Sequence, residues 1–309
     1  MKKYMLVSII NVLLLLPFAQ CLAQEPVAHP LLKIDCKDAA GLPRNFRIMA
    51  PAQAPGGQRV PSMTGLAELH ASGSAQFSRQ GLKAILLKVA SPVTVIDLRQ
   101  ESHGFFDGDA VSWYGVNDWA NRGLSQDMVE ADEKERLTKA LDGPLVIASG
   151  KNAATAAMTT ITVHESLSEA QVVKAAGESY YRLSSPDHLR PTDDTVDRFI
   201  QITRSLPPDS WVHFHCAAGR GRTTTFLTMF DMLHNANTVT FADIIRRQAL
   251  LGGEDLVFTP VDQVEEWKRD AYIERANFLR RFYEYAAAND KSLVWSEWSK
   301  NHPATIAAE

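Results

Sequence analysis

Cys216 closes the strand-like run of "VHFHCAAGRGRTTTF", residues 212–226, and is followed by Ala217, Ala218, Gly219, Arg220, Gly221, Arg222 and Thr223. A strand, a loop with two glycines and then a helix is the geometry in which backbone N–H groups converge on an anion at a helix N-terminus. Such a loop lowers the pKa of a thiol at its start and holds it as thiolate at neutral pH. A thiolate attacks phosphorus directly. Arg222, six positions after the cysteine, can return across the loop and hold two phosphate oxygens with its planar fork. Thr223 can donate its hydroxyl to the sulfur as it leaves in a second step. A lone cysteine ending a strand is more often a small buried hydrophobe. With His215, both glycines, Arg222 and Thr223 placed around it, a phosphate-handling nucleophile is the stronger reading. Gly-Lys-Ser/Thr is absent, which excludes a nucleotide-binding loop.

His-Cys, five residues, Arg and Ser/Thr resembles the signature of the cysteine-dependent protein tyrosine phosphatase superfamily. The resemblance implies a phosphocysteine intermediate, with no metal and no cofactor. It also implies a general acid on a separate loop, because an alkoxide is a poor leaving group. Asp187 is the candidate: it lies 29 residues before Cys216, between Pro186 and His188, in a loop that precedes a helix. An Asp beside a proline is otherwise a turn-former or a helix cap. The nucleophile downstream favours the acid, since sites are assembled from loops on a rigid scaffold.

The elements that must position these groups follow from periodicity. "VTVIDL" (93–98), "LVIAS", "TTITVHES", "ESYYRLSS" and "WVHFHC" read as strands. Helical spacing appears over Phe77–Ala90, in "DMVEADEKERLTKAL" up to Gly143-Pro144, in "TDDTVDRFIQITRSL" with its acidic first turn, and in "GRTTTFLTMFDML". "TFADIIRRQALL", a long helix over Val264–Asn289 and "WSEWSK" complete the chain. Strands alternating with helices predict an α/β fold, and the β-richer middle predicts a small appended subdomain.

Composition narrows the partners. The 309 residues are 45% apolar, ordinary for a globular core, and the formal charge is −4. Lys2, Lys3, an apolar run to Leu16, Pro17 and small residues at Cys21 and Ala23 form a leader over 1–23, which predicts export to the periplasm or beyond. Cys21 admits a lipoprotein reading, but Gln20 suits it poorly. No later segment is long and apolar enough for a membrane span. A chain acidic overall is not a general nucleic-acid binder, so anions must be met by a local cationic cluster. Cys36 and Cys216 are the cysteines left after the leader, and whether they pair is open.

"DLRQESHGF", "VSWYGVNDWAN", "SPDHLRPTDDTVDRF", "HFHCAAGRGRTT", "RQALLGG" and "WSEWSKNHPA", over roughly residues 40 to 305, together resemble the bacterial protein tyrosine phosphatase-like (PTP-like) phytases. The resemblance implies a PTP-like phosphatase core, a central mixed sheet flanked by helices, with a small β-barrel-like subdomain from about 30–60 and 143–178, all within one domain over 24–309. It implies stepwise removal of phosphates from myo-inositol hexakisphosphate, a small polyanionic substrate. Lys268, Tyr272 and Arg275 fall at i, i+4 and i+7, one helical stripe beside an apolar face of Trp267, Ala271, Phe278 and Phe282. Such a stripe is as often a solvated face as a binding one; the resemblance places it at the pocket. Arg220 and His188 would add charge for flanking phosphates. By family position Asp118 and Arg47 line the pocket, and Lys151 is a further candidate, although "NAATAAM" follows it where the family carries more basic residues. Asp97, Arg99, Glu101 and His103 are expected to organise the core and loops. Two alternatives keep the motif: a protein-tyrosine or phosphoinositide phosphatase with the same chemistry, and a non-catalytic inositol polyphosphate-binding protein. Oligomeric state is not legible.

Overall fold

Residues 93–99, 179–185 and 211–216, rich in β-branched and aromatic side chains, form neighbouring strands of a central sheet. The computed structural model describes residues 30–54, 56, 59–89, 92–149, 155–208, 210–288 and 293–303. The expected leader, Cys21 within it, and Lys151 lie outside the described residues.

In chain order the strands are β1 (Leu31–Cys36), β2 (Arg47–Ile48), β3 (Ala71–Ala75), β4 (Val93–Arg99), β5 (His103–Phe106), β6 (Asp109–Tyr114), β7 (Leu145–Ala148), β8 (Met158–Ile161), β9 (Ser166–Leu167), β10 (Ser179–Ser185) and β11 (Trp211–Cys216). The helices are α1 (Arg79–Lys88), α2 (Gln126–Lys139), α3 (Glu169–Ala175), α4 (Asp193–Ser205), α5 (Gly221–Asn235), α6 (Phe241–Leu250), α7 (Arg269–Ala287) and α8 (Trp295–Asn301).

The central sheet has the order β10-β4-β11-β3-β2, parallel except for the antiparallel β2–β3 pair. All seven residues of β4 are buried, as expected of a parallel strand covered on both faces. Its alternate side chains part accordingly. Val93 and Val95 join Phe77, Leu82 and Ile85 of the α1 side, with Val172 and Val173 of α3. Ile96 and Leu98 join Phe199, Phe214, Phe226 and Leu279 of the α4, α5 and α7 side. This is the mixed, helix-flanked α/β core that the sequence predicts.

A second sheet, β8-β7-β1-β6-β5-β9, packs Leu32, Val111, Trp113 and Ile147 against Leu137 and Ala140 at the α2 end. Between β1 and β9 it takes up β5 and β6, from the stretch immediately after β4. Among the described residues, no helix is long and apolar enough to cross a membrane.

Two local expectations are corrected. The long helix begins at Arg269 rather than Val264, because Val264 and Glu265 are extended (ψ 134° and 133°) and Glu266–Lys268 form a separate 3-10 turn. Trp267 therefore leaves the apolar face assigned to it and is 46% exposed, whereas Phe278 and Phe282 stay in the core. The strand β3, "ASGSA", has no apolar alternation to betray it. Its small residues are required by close packing: a Cβ on Gly73 would lie 2.7 Å from Thr223 and 2.8 Å from Leu227 of α5.

Candidate active site

β11 lies between β4 and β3, and its last residue, Cys216, starts the loop into α5. The loop is held by its carbonyls. The Gln76 N–H donates to Ala217 O (3.3 Å), Asn45 Nδ2 to Ala218 O (2.8 Å) and Arg47 Nη1 to Gly219 O (2.7 Å). With three successive carbonyls bonded outward, the loop can curve around an anion. Gly219 has φ 71°, and a Cβ there would sit 2.2 Å from Ala75 N and 2.4 Å from Ser74 C, so no other residue fits. Arg220, exposed, is the N-cap of α5 and makes no side-chain cap bond, unlike the serine and threonine caps of α1, α2, α3, α4 and α6.

Cys216 is 2% exposed, and the Thr223 hydroxyl donates to its sulfur at 3.2 Å. Arg222, equally buried, presents both Nη atoms to Glu101 (2.7 and 3.0 Å) and one of them also to Ser185 O (3.1 Å). Its Nε lies 3.2 Å from Asp187 Oδ1, within ion-pair range but not aligned as a hydrogen bond. Burial would disfavour the Glu101 charge, but Arg222 and Arg99 outweigh it and hold the carboxyl well below its ordinary range. Arg99 also donates to Asp35 (2.8 Å) on β1 and to Gln76 (2.7 Å). Gln76 in turn donates to Glu169 (2.7 Å), which bonds His215 Nε2 at 2.5 Å. Both ends of the signature, His215 and Arg222, thus rest on one buried polar network. His103 belongs to it too. Burial, and after it Arg99 and Arg182, disfavour its charge, but the Asp97 and Glu133 carboxylates beside it win together and raise it to about 10. Asp97, Arg99, Glu101 and His103 therefore organise the core and loops, as expected.

Asp187 reaches the same place from the loop between β10 and α4. Its carboxylate accepts from the His188 N–H (3.0 Å) and lies 3.3 Å from His188 Nε2. Its carbonyl accepts from Trp119 Nε1 at 2.9 Å. Burial lowers the His188 pKa, Asp187 opposing and Lys268, Arg222 and Arg275 adding to the shift.

Beside the loop is a cavity of about 290 Å³ walled by His188, Lys268, Tyr272 and Arg275, with Glu254 and Glu265. Lys268, Tyr272 and Arg275, which the sequence places on one helical stripe, do converge here and meet His188, but not as an outer helical stripe. Lys268 stands on the 3-10 turn, paired with Glu265 (2.7 Å), while Tyr272 and Arg275 are each only 7% exposed. The Tyr272 hydroxyl donates to Asp255 O (3.4 Å). Arg275 Nη1 is 3.5 Å from His188 O, its Nε has no partner, and burial lowers its pKa. A Cβ on Gly221 would be 3.2 Å from Arg275 Nη1, so cavity and loop adjoin.

Arg47 sits elsewhere than in the pocket wall. Besides Gly219 O it donates to Asn45 O (3.1 Å) and Thr224 Oγ1 (3.1 Å), and burial lowers it to about 10. It supports the loop from behind. Glu169, Gln76, Asn45 and Trp119 are site residues that sequence reasoning missed. Each acts through hydrogen bonds to distant segments, and no local pattern marks it.

Asp118 is buried, with φ 62°, and its Oδ2 lies 3.8 Å from Arg222 Nη2. Burial first and then the Glu101 charge raise it to about 7, with Arg222, Arg99 and Lys33 opposing. The folded chain therefore holds this proton more tightly than the unfolded chain, whose value is 3.8. The stability Asp118 contributes is full below that value and is lost as pH rises through about 7. Asp118→Asn has no such proton to lose. Its melting temperature is expected to gain on the parent's between about pH 4 and pH 8, and a constant difference across that range would contradict the assignment.

Comparison with known proteins gives a consistent set. A family model for PTP-like phytases, described as "Inositol hexakisphosphate", matches residues 96–234. A PTP-like phytase structure from Bdellovibrio bacteriovorus is 35% identical, with TM-score 0.71, covering 89% of this chain and 96% of that one. The PTP-like myo-inositol phosphatase from Mitsuokella multacida, solved with myo-inositol-(1,3,4,5)-tetrakisphosphate, is also 35% identical, with TM-score 0.81, covering 90% of this chain and 50% of that one. The effector protein hopD2 of Pseudomonas syringae pv. tomato is 34% identical over 247 residues, 76% of this chain and 52% of its own. The chain thus spans about half the length of the Pseudomonas and Mitsuokella proteins.

Proposed function

The chain belongs to the PTP-like phytase family, and from that premise we propose that it is a cysteine-dependent phosphomonoesterase acting stepwise on inositol polyphosphates. The observation that carries the reading is the junction of two parts. Cys216, Thr223, Arg222 and Asp187 form one cluster, and a cation-bearing cavity opens directly beside it.

In the first step the Cys216 thiolate attacks phosphorus, the P–S bond forms and the ester P–O bond breaks. Asp187 gives its proton to the departing inositol oxygen. Arg222, its fork oriented by Glu101, holds two non-bridging oxygens while loop N–H groups meet the third. In the second step water attacks the phosphocysteine, Asp187 takes the water proton, and the thiolate leaves with the Thr223 hydroxyl donating to it. Free enzyme and inorganic phosphate result.

His188, Lys268 and Arg275 then bind phosphates that are not reacting, which a lone phosphotyrosine cannot use. The leader-like residues 1–23 extend the proposal to an exported enzyme. Phosphate release from inositol hexakisphosphate and from a phosphotyrosine peptide at equal concentration tests the substrate. The expected preference in kcat/KM is at least about tenfold for the inositol ester. A preference for the peptide overturns the substrate class while leaving the chemistry standing, and release from neither would favour a binding protein.

A further inference from the structure

Asp187 must aim one carboxylate oxygen at the leaving oxygen, and its own loop holds that carboxylate through the neighbouring His188 alone, by its N–H (3.0 Å) and its Nε2 (3.3 Å). The loop lies between Pro186 and Pro191, and the Asp187 side chain keeps 22% of its exposure. The bond to its backbone comes from another element. Trp119 Nε1 donates to the Asp187 carbonyl at 2.9 Å.

Trp119 is itself held firmly. It caps the 3-10 turn Val116–Asp118, in which Asn117 and Asp118 have φ 55° and 62°, and a Cβ on Gly115 would meet Ala120 N at 2.8 Å. Backbone in that region persists only where the surroundings fix it. The Arg122 guanidinium lies 4.2 Å over the Trp119 ring, and the Trp267 ring meets it edge-on at 6.0 Å. Trp267 also meets His188 edge-on at 5.0 Å. The two indoles thus bracket the Asp187–His188 step from two other segments. Of these contacts the N–H···O bond is the directional one. A carbonyl fixed in direction fixes the peptide plane after Asp187, and so limits where its Cβ can point.

We propose that Trp119 is the positioning residue of the general acid: its indole N–H holds the Asp187 main chain so that the carboxyl stands over the phosphoryl group beside Arg222. The inference rests on Asp187 being the acid. It carries a signature that a merely structural tryptophan lacks, because an acid matters only when the leaving group needs a proton.

Trp119→Phe keeps a ring against Arg122 and Trp267 and removes the donor. Its kcat/KM is measured on inositol hexakisphosphate, whose leaving oxygen is an alkoxide, and on p-nitrophenyl phosphate, whose leaving group departs unprotonated. Asp187→Asn is run beside it. The expected loss for Trp119→Phe is about 10- to 100-fold with the inositol ester and less than about threefold with the nitrophenyl ester. Asp187→Asn is expected to show the same pattern more strongly. Retained nitrophenyl turnover also reports that the variant folds. If Trp119→Phe loses both substrates equally, or neither, while Asp187→Asn loses selectively, the positioning role is overturned. If Asp187→Asn itself shows no selectivity, the acid assignment fails instead.

Discussion

Cys216→Ser is expected to lower kcat/KM by at least about 10⁵ while phosphate and inositol polyphosphate binding change less than about threefold. The oxygen occupies nearly the place of the sulfur, and the loop contacts at Ala217, Ala218 and Gly219 do not involve the Cys216 side chain. The anion site therefore survives. What is lost is the nucleophile, since a serine hydroxyl has no base beside it here. The group in contact is Thr223, itself a donor. Rapid quenching in acid is expected to trap phosphate on the parent protein and none on Cys216→Ser. Turnover retained in the variant would mean that water attacks directly, and the two-step reading would fall.

Arg222→Lys is the second large effect, a loss of about 10³ in kcat/KM with a fall of about 1–3 kcal/mol in stability. Arg222 serves two partners at once: its Nη atoms hold both Glu101 oxygens while its Nε side faces the site. An ammonium can reach one of them but cannot span both. It also leaves the fully buried Glu101 carboxylate short of at least one charge-assisted bond. Kinetics and melting must fall together. A variant that keeps its melting temperature and loses only activity would show that Glu101 is satisfied without the fork.

Contiguous residues explain why the loop was legible. The residues from His215 to Thr223 stand side by side in the chain, and each residue type has a reason to stand where it does. Asp187 is singled out by a spacing that a family fixes, not by anything its neighbours say, and the structure brings its carboxylate within 3.2 Å of Arg222. Glu169 and Gln76 were not legible, because their partners lie 46 and 93 residues away or more than one strand across. Arg47 shows a different limit. Family position counts its charge toward a pocket, but its Nη atoms are occupied by Gly219 and Thr224 behind the loop. For Lys268, Tyr272 and Arg275 the grouping was correct and its cause was not: a helix that begins at Arg269 and a preceding 3-10 turn bring them to one cavity, with two of the three facing inward.

The chain of charges from β1 to the fork makes this catalytic loop a poor candidate for transplantation. Asp35 on the second sheet holds Arg99, Arg99 holds Glu101, and Glu101 holds Arg222. A graft carrying only residues 211–226 onto another parallel sheet would keep the loop's curvature and strand its arginine without a counter-charge. A cut between the two sheets would do the same from the other side, leaving a buried Arg99 facing no Asp35. The unit that could be moved or swapped is therefore both sheets together.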